Sequence, residues 1–234
     1  MGLGPVWTLR KAPGAAVSPE SANVATTAAT SVGVPRAQRI AAMDWAELER
    51  SVAGCTACAL SRTRTKTVFG VGNRSAEWML VGEAPGAEED ARGEPFVGQA
   101  GRLLDNMLAA AGLSRSGTGA ESVFIANVLK CRPPGNRNPE SGEVRECDPY
   151  LRRQIELVGP KVVLVMGRFA AQSLLGTDAS IASLRGRVLR IEVAGRSVPV
   201  VVTYHPAYLL RNLEDKAKSW ADLCLARDFV ARSH

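Results

Sequence analysis

Long apolar runs are missing from this 234-residue chain. The longest, such as Val162 to Met166 and Val198 to Val202, are far too short to cross a bilayer. No membrane partner is expected, and these runs read as buried strands. Histidine is nearly absent, so any imidazole chemistry rests on His205 or the terminal His234. The five cysteines, Cys55, Cys58, Cys131, Cys147 and Cys224, form no even set, and no secretory leader precedes them. A disulfide framework is disfavoured, and a reducing, cytoplasmic compartment is expected. Strong charge is lacking too. The net charge is +6, and residues 1–43 hold Arg10, Lys11, Arg36 and Arg39 against Glu20 alone. The remainder is therefore only mildly basic, and any grip on a polyanion must come from local patches.

What is present is a core-forming composition, 46% hydrophobic, with alternating elements. Residues 1–43 are rich in Ala, Ser, Thr, Val, Gly and Pro without a helical or strand period. They are expected to be a disordered tail that the chemistry can do without. Order is expected to begin at Asp44, where Asp44 and Glu47 suit a capping box and Gly54 a helix end. Strands are expected at Trp78–Val81, Val123–Leu129, Val162–Met166, Val188–Val193 and Val198–Thr203. Helices are expected over Gly98–Ala111, from Asn138-Pro139 toward Val158, over Arg168–Leu175 and from about Glu214 to Ala231. This alternation predicts an α/β fold, a three-layer sandwich with a mostly parallel central sheet in one domain, residues 44–234. Functional loops then belong at the carboxyl ends of the strands.

Three segments follow predicted strands. Gly82-Glu83-Ala84-Pro85-Gly86 leads into Ala87-Glu88-Glu89-Asp90 and on to Pro95-Phe96-Val97-Gly98. Asn127 opens the stretch to Pro139. Tyr204-His205-Pro206-Ala207-Tyr208-Leu209-Leu210-Arg211 follows the last strand. The glycines permit close backbone approach to a ligand. A lone histidine is more often structural than catalytic, but His205 sits in a loop at a strand end, which favours function. Cys55-x2-Cys58 and Cys131-x15-Cys147 do not repeat the short spacing of a paired zinc knuckle. The spacing leaves zinc and a [4Fe–4S] cluster both open. Cys224 reads as a small buried hydrophobe.

Together, Gly82-Glu83-Ala84-Pro85-Gly86 with Gly93-x-Pro95-Phe96-Val97-Gly98, Asn127 through Cys131-Arg132-Pro133-Pro134-Gly135-Asn136-Arg137, and His205 through Arg211 resemble the three motifs of the family 4 uracil-DNA glycosylases. The resemblance covers about residues 44–231, and the four spaced cysteines fall where that family places a [4Fe–4S] cluster. A sister group that forms a covalent sugar adduct through a histidine after the second motif is disfavoured, because no histidine follows Asn127 there. Family 1 enzymes carry an aspartate in the first motif; here the nearest carboxylate is Glu83.

The resemblance implies excision of uracil from single- or double-stranded DNA by a monomer, after the base is flipped from the stack. Phe96 would stack on the base, and Gly82, Ala84 and Gly86 would shape its pocket. Asn127 would accept from N3–H and donate to O4. His205 would donate to O2 as charge develops. Glu83 would stabilise the sugar cation and orient water, and Glu89 would line the C5 side of the base. Leu209 and Leu210 would wedge into the vacated stack. Arg62, Arg64, Lys66, Arg132, Arg137 and Arg211 would grip phosphates. A DNA-binding or redox iron–sulfur protein without glycosylase activity is the competing expectation. Contact with a sliding clamp is not readable.

Overall fold

The computed structural model describes residues 34–233. From the amino end, α1 (Arg36–Ala41) and α2 (Trp45–Ala53) precede β1 (Val71–Gly72) and β2 (Trp78–Gly82). Then come α3 (Ala87–Arg92), α4 (Gln99–Ala110), β3 (Val123–Asn127), α5 (Ser141–Val158) and β4 (Val162–Met166). They are followed by α6 (Arg168–Leu175), α7 (Ile181–Leu184), β5 (Val188–Val193), β6 (Arg196–Thr203), α8 (Pro206–Leu209) and α9 (Lys216–Ala231). Among the described residues these strands form one sheet of order β1-β3-β2-β4-β6-β5. The middle four are parallel, and the two outer strands run antiparallel to their neighbours. One edge, β1, is two residues long. The other, β5, exposes Arg190 and Glu192.

The middle strands are apolar on both faces because both faces are covered. On one face Trp78, Leu80, Val123, Ile125 and Leu164 meet Leu104 and Leu108 of α4 and Leu223, Ala226 and Val230 of α9. On the other, Met79, Val81, Phe124, Val163 and Val165 meet Leu151 and Ile155 of α5 and Ala170, Ala171 and Leu174 of α6. This is the expected three-layer sandwich. No described helix is long and apolar enough to cross a membrane.

Two expectations need correction. The structure begins before Asp44: α1 lies inside the segment expected to be disordered, and its Ile40 is buried against Leu48, Val52, Phe69 and Tyr150. A short helix with one apolar anchor has too little periodicity to stand out. The disorder expected of residues 1–33 falls outside the described residues. Second, α5 starts at Ser141, not at Asn138-Pro139. The Glu143 carboxylate accepts from the Glu140 N–H (2.9 Å) and is gripped by Arg137, which fixes the helix start there. The capping box at Asp44 and Glu47 is present as expected.

A chain starting at Asp44 should be less stable than one starting at Val34 by about 2–3 kcal/mol, the value of one buried aliphatic side chain. Urea unfolding measures this. Equal midpoints would show that α1 adds nothing.

Candidate active site

Three of the four parallel strands deliver residues to one cleft at their carboxyl ends. β2 is followed by Glu83, β3 ends on Asn127, and β6 is followed by His205. The cleft of about 500 Å³ is lined by Glu83 through Gly86, Glu89, Phe96, Asn127, Asn136, Arg137, His205, Tyr208 and Arg211 among others. Beyond the strands, Val128 N and Leu129 N donate to Gly82 O and Glu83 O, so the first two loops are tied together. The fourth strand contributes Gly167 (φ +94°), where a Cβ would meet His205 Cβ at 3.0 Å. A strand-end glycine is a weak signal, and its role beside His205 was not legible in the sequence.

Phe96 is held in a left-handed backbone conformation (φ 56°), which a bulky residue adopts only under constraint. The constraints are visible. Arg115 donates to Pro95 O and Phe96 O, each at 3.0 Å. A Cβ on Gly101 would lie 1.8 Å from Phe96 O. Glu89 accepts from Val97 N (3.0 Å), Gly98 N (3.2 Å) and Gly86 N (3.1 Å), joining the two halves of the first motif. The Phe96 ring stacks with that of His205, centroids 5.4 Å apart. Arg115, distant from every motif, carried no sequence signal for this task.

Asn127 is 2% exposed, and its Oδ1 is buried with no hydrogen-bond partner. A Cβ on Gly82 would stand 2.4 Å from that Oδ1 and 2.7 Å from Phe96 Cζ. Gly82 therefore keeps open the slot between aromatic ring and amide. Gly82→Ala should slow reaction in this cleft by about 10²-fold, since displacements of an ångström are that costly. Single-turnover rates measure it, and a rate within threefold of the parent would place the ligand elsewhere.

His205 Nδ1 accepts from Ala207 N (3.1 Å), which leaves any neutral-ring proton on Nε2. Burial pushes His205 down to about 4, with nearby Glu89 opposing and Arg211 reinforcing the shift. Burial also raises the Glu83 carboxyl above its usual range, against the pull of Arg168. The site thus holds a neutral imidazole donor, a half-buried carboxyl and an unsatisfied amide acceptor.

The cysteines occupy a second, smaller place. Cys55, Cys58, Cys131 and Cys147 line one small pocket with Arg64, Lys130 and Tyr150. Among the described residues no three His, Cys, Asp or Glu side chains converge closely enough to hold a single metal ion. Donors face the sulfurs: Arg64 Nη1 on Cys131 (3.2 Å), Lys130 N on Cys147 (3.3 Å) and Arg36 Nη2 on Cys55 (3.6 Å). As a free thiol, Cys147 is pushed up to about 12 by burial. Burial raises Cys131 as well, against the opposing pull of Arg64. Cys224 is a partly buried free thiol outside this group.

The expected DNA contacts divide. Leu209 is fully buried under the loop and cannot reach a base stack; Leu210 is 40% exposed and can. One helical position separates a packed face from a free one, which motif reading does not resolve. Arg64 donates to Cys131 Sγ and Ala53 O. Arg137 lines the cleft but is paired with Glu140 and Glu143. Arg132 is partly buried and donates to Asn136 Oδ1. Arg62, Lys66 and Arg211 are exposed. The backbone of Thr65 is anchored by buried Asp90 (2.9 Å), which sets the basic loop in place.

The uracil DNA glycosylase superfamily model matches residues 69–224. A type-4 uracil-DNA glycosylase of Archaeoglobus fulgidus is 44% identical over 188 residues, 76% of this chain and 92% of its own. One from Thermotoga maritima is 40% identical over 181 residues, 76% and 90% of the two chains. A type-5 uracil-DNA glycosylase of Pyrobaculum aerophilum is 35% identical over 153 residues, 60% and 66%. With the match spanning both the motif loops and the sheet that carries them, this chain belongs to the uracil DNA glycosylase superfamily.

Proposed function

We infer that the chain is a uracil-DNA glycosylase, a hydrolase that cleaves the N-glycosidic bond of deoxyuridine in DNA and leaves an abasic site for repair. The observation that carries this reading is the buried, unpartnered Asn127 Oδ1 facing the slot beside Phe96. A buried acceptor left without a donor is costly unless a ligand supplies one, and uracil N3–H does.

An internal base is reached by extruding its nucleotide, which costs a few kcal/mol of unstacking. Leu210 is the side chain placed to enter the gap, while Arg62, Lys66 and Arg211 are free to meet phosphates. The extruded base lies on Phe96, and Asn127 meets its N3–H. As the bond to the sugar breaks, negative charge gathers on the uracil. The His205 Nε2 proton is aimed at it, from an imidazole already neutral. Positive charge gathers on the sugar, where Glu83 stabilises it and orders the attacking water. Glu89 keeps its place in the wall of the base pocket, but its lone pairs are committed to three backbone amides. It acts by holding Phe96 and the Gly86 loop, and any exclusion of a C5 methyl is steric. We further propose that it acts as a monomer on DNA in the cytoplasm.

The four cysteines would hold a [4Fe–4S] cluster. The support is that all four side chains line one pocket, and Cys-ligated clusters are held by four such thiolates. When bound, such a cluster cross-links the α2 end, the segment after β3 and α5, and offers a one-electron couple. The chain's own part is to present the four sulfurs, with Arg36, Arg64 and the Lys130 N–H facing three of them.

The test joins two measurements. Purified protein should be brown and should release uracil from a uracil oligonucleotide, leaving an alkali-labile site, and not act on its thymine match. Cys131→Ala should lose the visible absorption and much of the stability, because the binding energy of such a site contributes to folding. A colourless protein with stoichiometric zinc would refute the cluster. A brown protein that binds DNA without cutting would favour the redox or DNA-binding alternative.

A further inference from the structure

The glycosylase reading leaves one buried cation without a task. Lys130 is 1% exposed and stands three residues after Asn127 and directly before Cys131. A buried ammonium is costly unless well bonded. Its Nζ has two neutral partners, Asn127 O (2.7 Å) and Gln154 Oε1 (2.6 Å). Gln154, itself fully buried, donates in turn to Phe69 O (2.9 Å). The lysine's backbone is fixed as well: its N–H meets Cys147 Sγ, and its carbonyl accepts from Val68 N (2.8 Å).

Asn127 is the last residue of β3, where the regular ladder ends. The peptide that follows it is held on its amide side, where Val128 N donates to Gly82 O (2.9 Å), and Lys130 Nζ holds its carbonyl side. A charge-assisted hydrogen bond is shorter and stiffer than a neutral one, and here it is anchored through Gln154 to α5. Fixing the Asn127 peptide fixes the direction in which its side chain leaves the backbone. We propose that Lys130 is a positioning residue for uracil recognition: it holds the Asn127 peptide so that the side-chain amide meets the base edge in one orientation. The claim rests on the reading of Asn127 as the base-contacting residue.

Two variants of the full chain test it, Lys130→Met and Lys130→Met with Gln154→Leu. The single change strands two buried acceptors. The double change removes Gln154 Oε1 together with its partner but leaves Phe69 O without its donor, so it probes the same loss in a differently packed interior. Both should cut uracil DNA roughly tenfold to hundredfold more slowly in single turnover at saturating enzyme. Inhibition by free uracil should weaken by about tenfold, as an orienting loss predicts. DNA affinity and visible absorption per chain should match the parent. The two variants should lose thermal stability to a similar extent, stay folded at the assay temperature and share the rate loss. A double variant cutting within threefold of the parent would overturn the proposal, leaving Lys130 a packing residue. So would a rate loss that tracks loss of absorption, which would assign Lys130 to the cysteine site. A parent that releases no uracil would refute the glycosylase reading instead. Free-uracil binding by parent and variants would then still decide the positioning claim.

Discussion

Asn127→Asp is expected to lower uracil excision by about 10³-fold or more at pH 8, further than Asn127→Ala. The amide is 2% exposed, and a Cβ on Gly82 would stand 2.4 Å from its Oδ1. Aspartate nearly preserves shape, so water cannot enter to repair the mismatch. It retains an acceptor for N3–H but turns a negative oxygen toward O4 and toward the charge gathering on the leaving base. Sites built around one hydrogen-bonding pattern reject its reverse strongly, because the buried partners are left unpaired. Alanine removes the recognition without adding repulsion. The two variants also separate by pH. Burial raises a carboxyl's pKa, and the protonated acid regains a donor. Activity of Asn127→Asp should therefore climb as pH falls, while Asn127→Ala stays flat. Single-turnover release from uracil oligonucleotides at several pH values measures this. Equal rates for Asn and Asp at pH 8 would show that position 127 does not read the base.

His205→Ala should cost ~10²–10³ in the cleavage rate, typical for loss of one donor to a developing anion, with DNA affinity little changed. The donor matters most in the transition state, so the loss belongs in kcat. The parent's rate should show no break near pH 6.5, because burial holds the ring neutral until about pH 4. Stability carries the same signature with a definite sign. Below about pH 6.5 the unfolded chain's histidine takes a proton that the folded one refuses. The folded state thus loses ground as pH falls from 6.5 toward 4, and holds it above 6.5. His205→Asn should flatten that part of the profile. A variant that cuts within a few-fold of the parent would make the imidazole structural.

The sheet was legible because both-face burial writes itself as apolar runs: Trp78–Val81 and Val162–Met166 fall within or on their observed strands. The strand-end rule then gathered Glu83, Asn127 and His205 before any coordinates. What escaped was contact that periodicity does not encode. Arg115 supports Phe96 from nineteen residues away. Arg64 looks like a surface charge in sequence and is a cysteine partner in space. Leu209 and Leu210 are indistinguishable as letters, and only the packing of α8 buries one and frees the other. Lys130 hides inside a motif whose cysteine and prolines draw the eye, and its partner Gln154 lies on another element.

The sheet's two outer strands bear on how the protein keeps in a concentrated stock. A growing ribbon of copies needs a long, flat, unpaired border on which the next chain can lay its backbone. One border here offers two residues, too few for a ladder. The other alternates buried Ile191 and Val193 with outward Arg190 and Glu192, so an incoming copy would meet charge at every second step. Heating the protein should accordingly lead to clumping only after the sandwich itself opens, and turbidity should trail the loss of folded signal, not precede it.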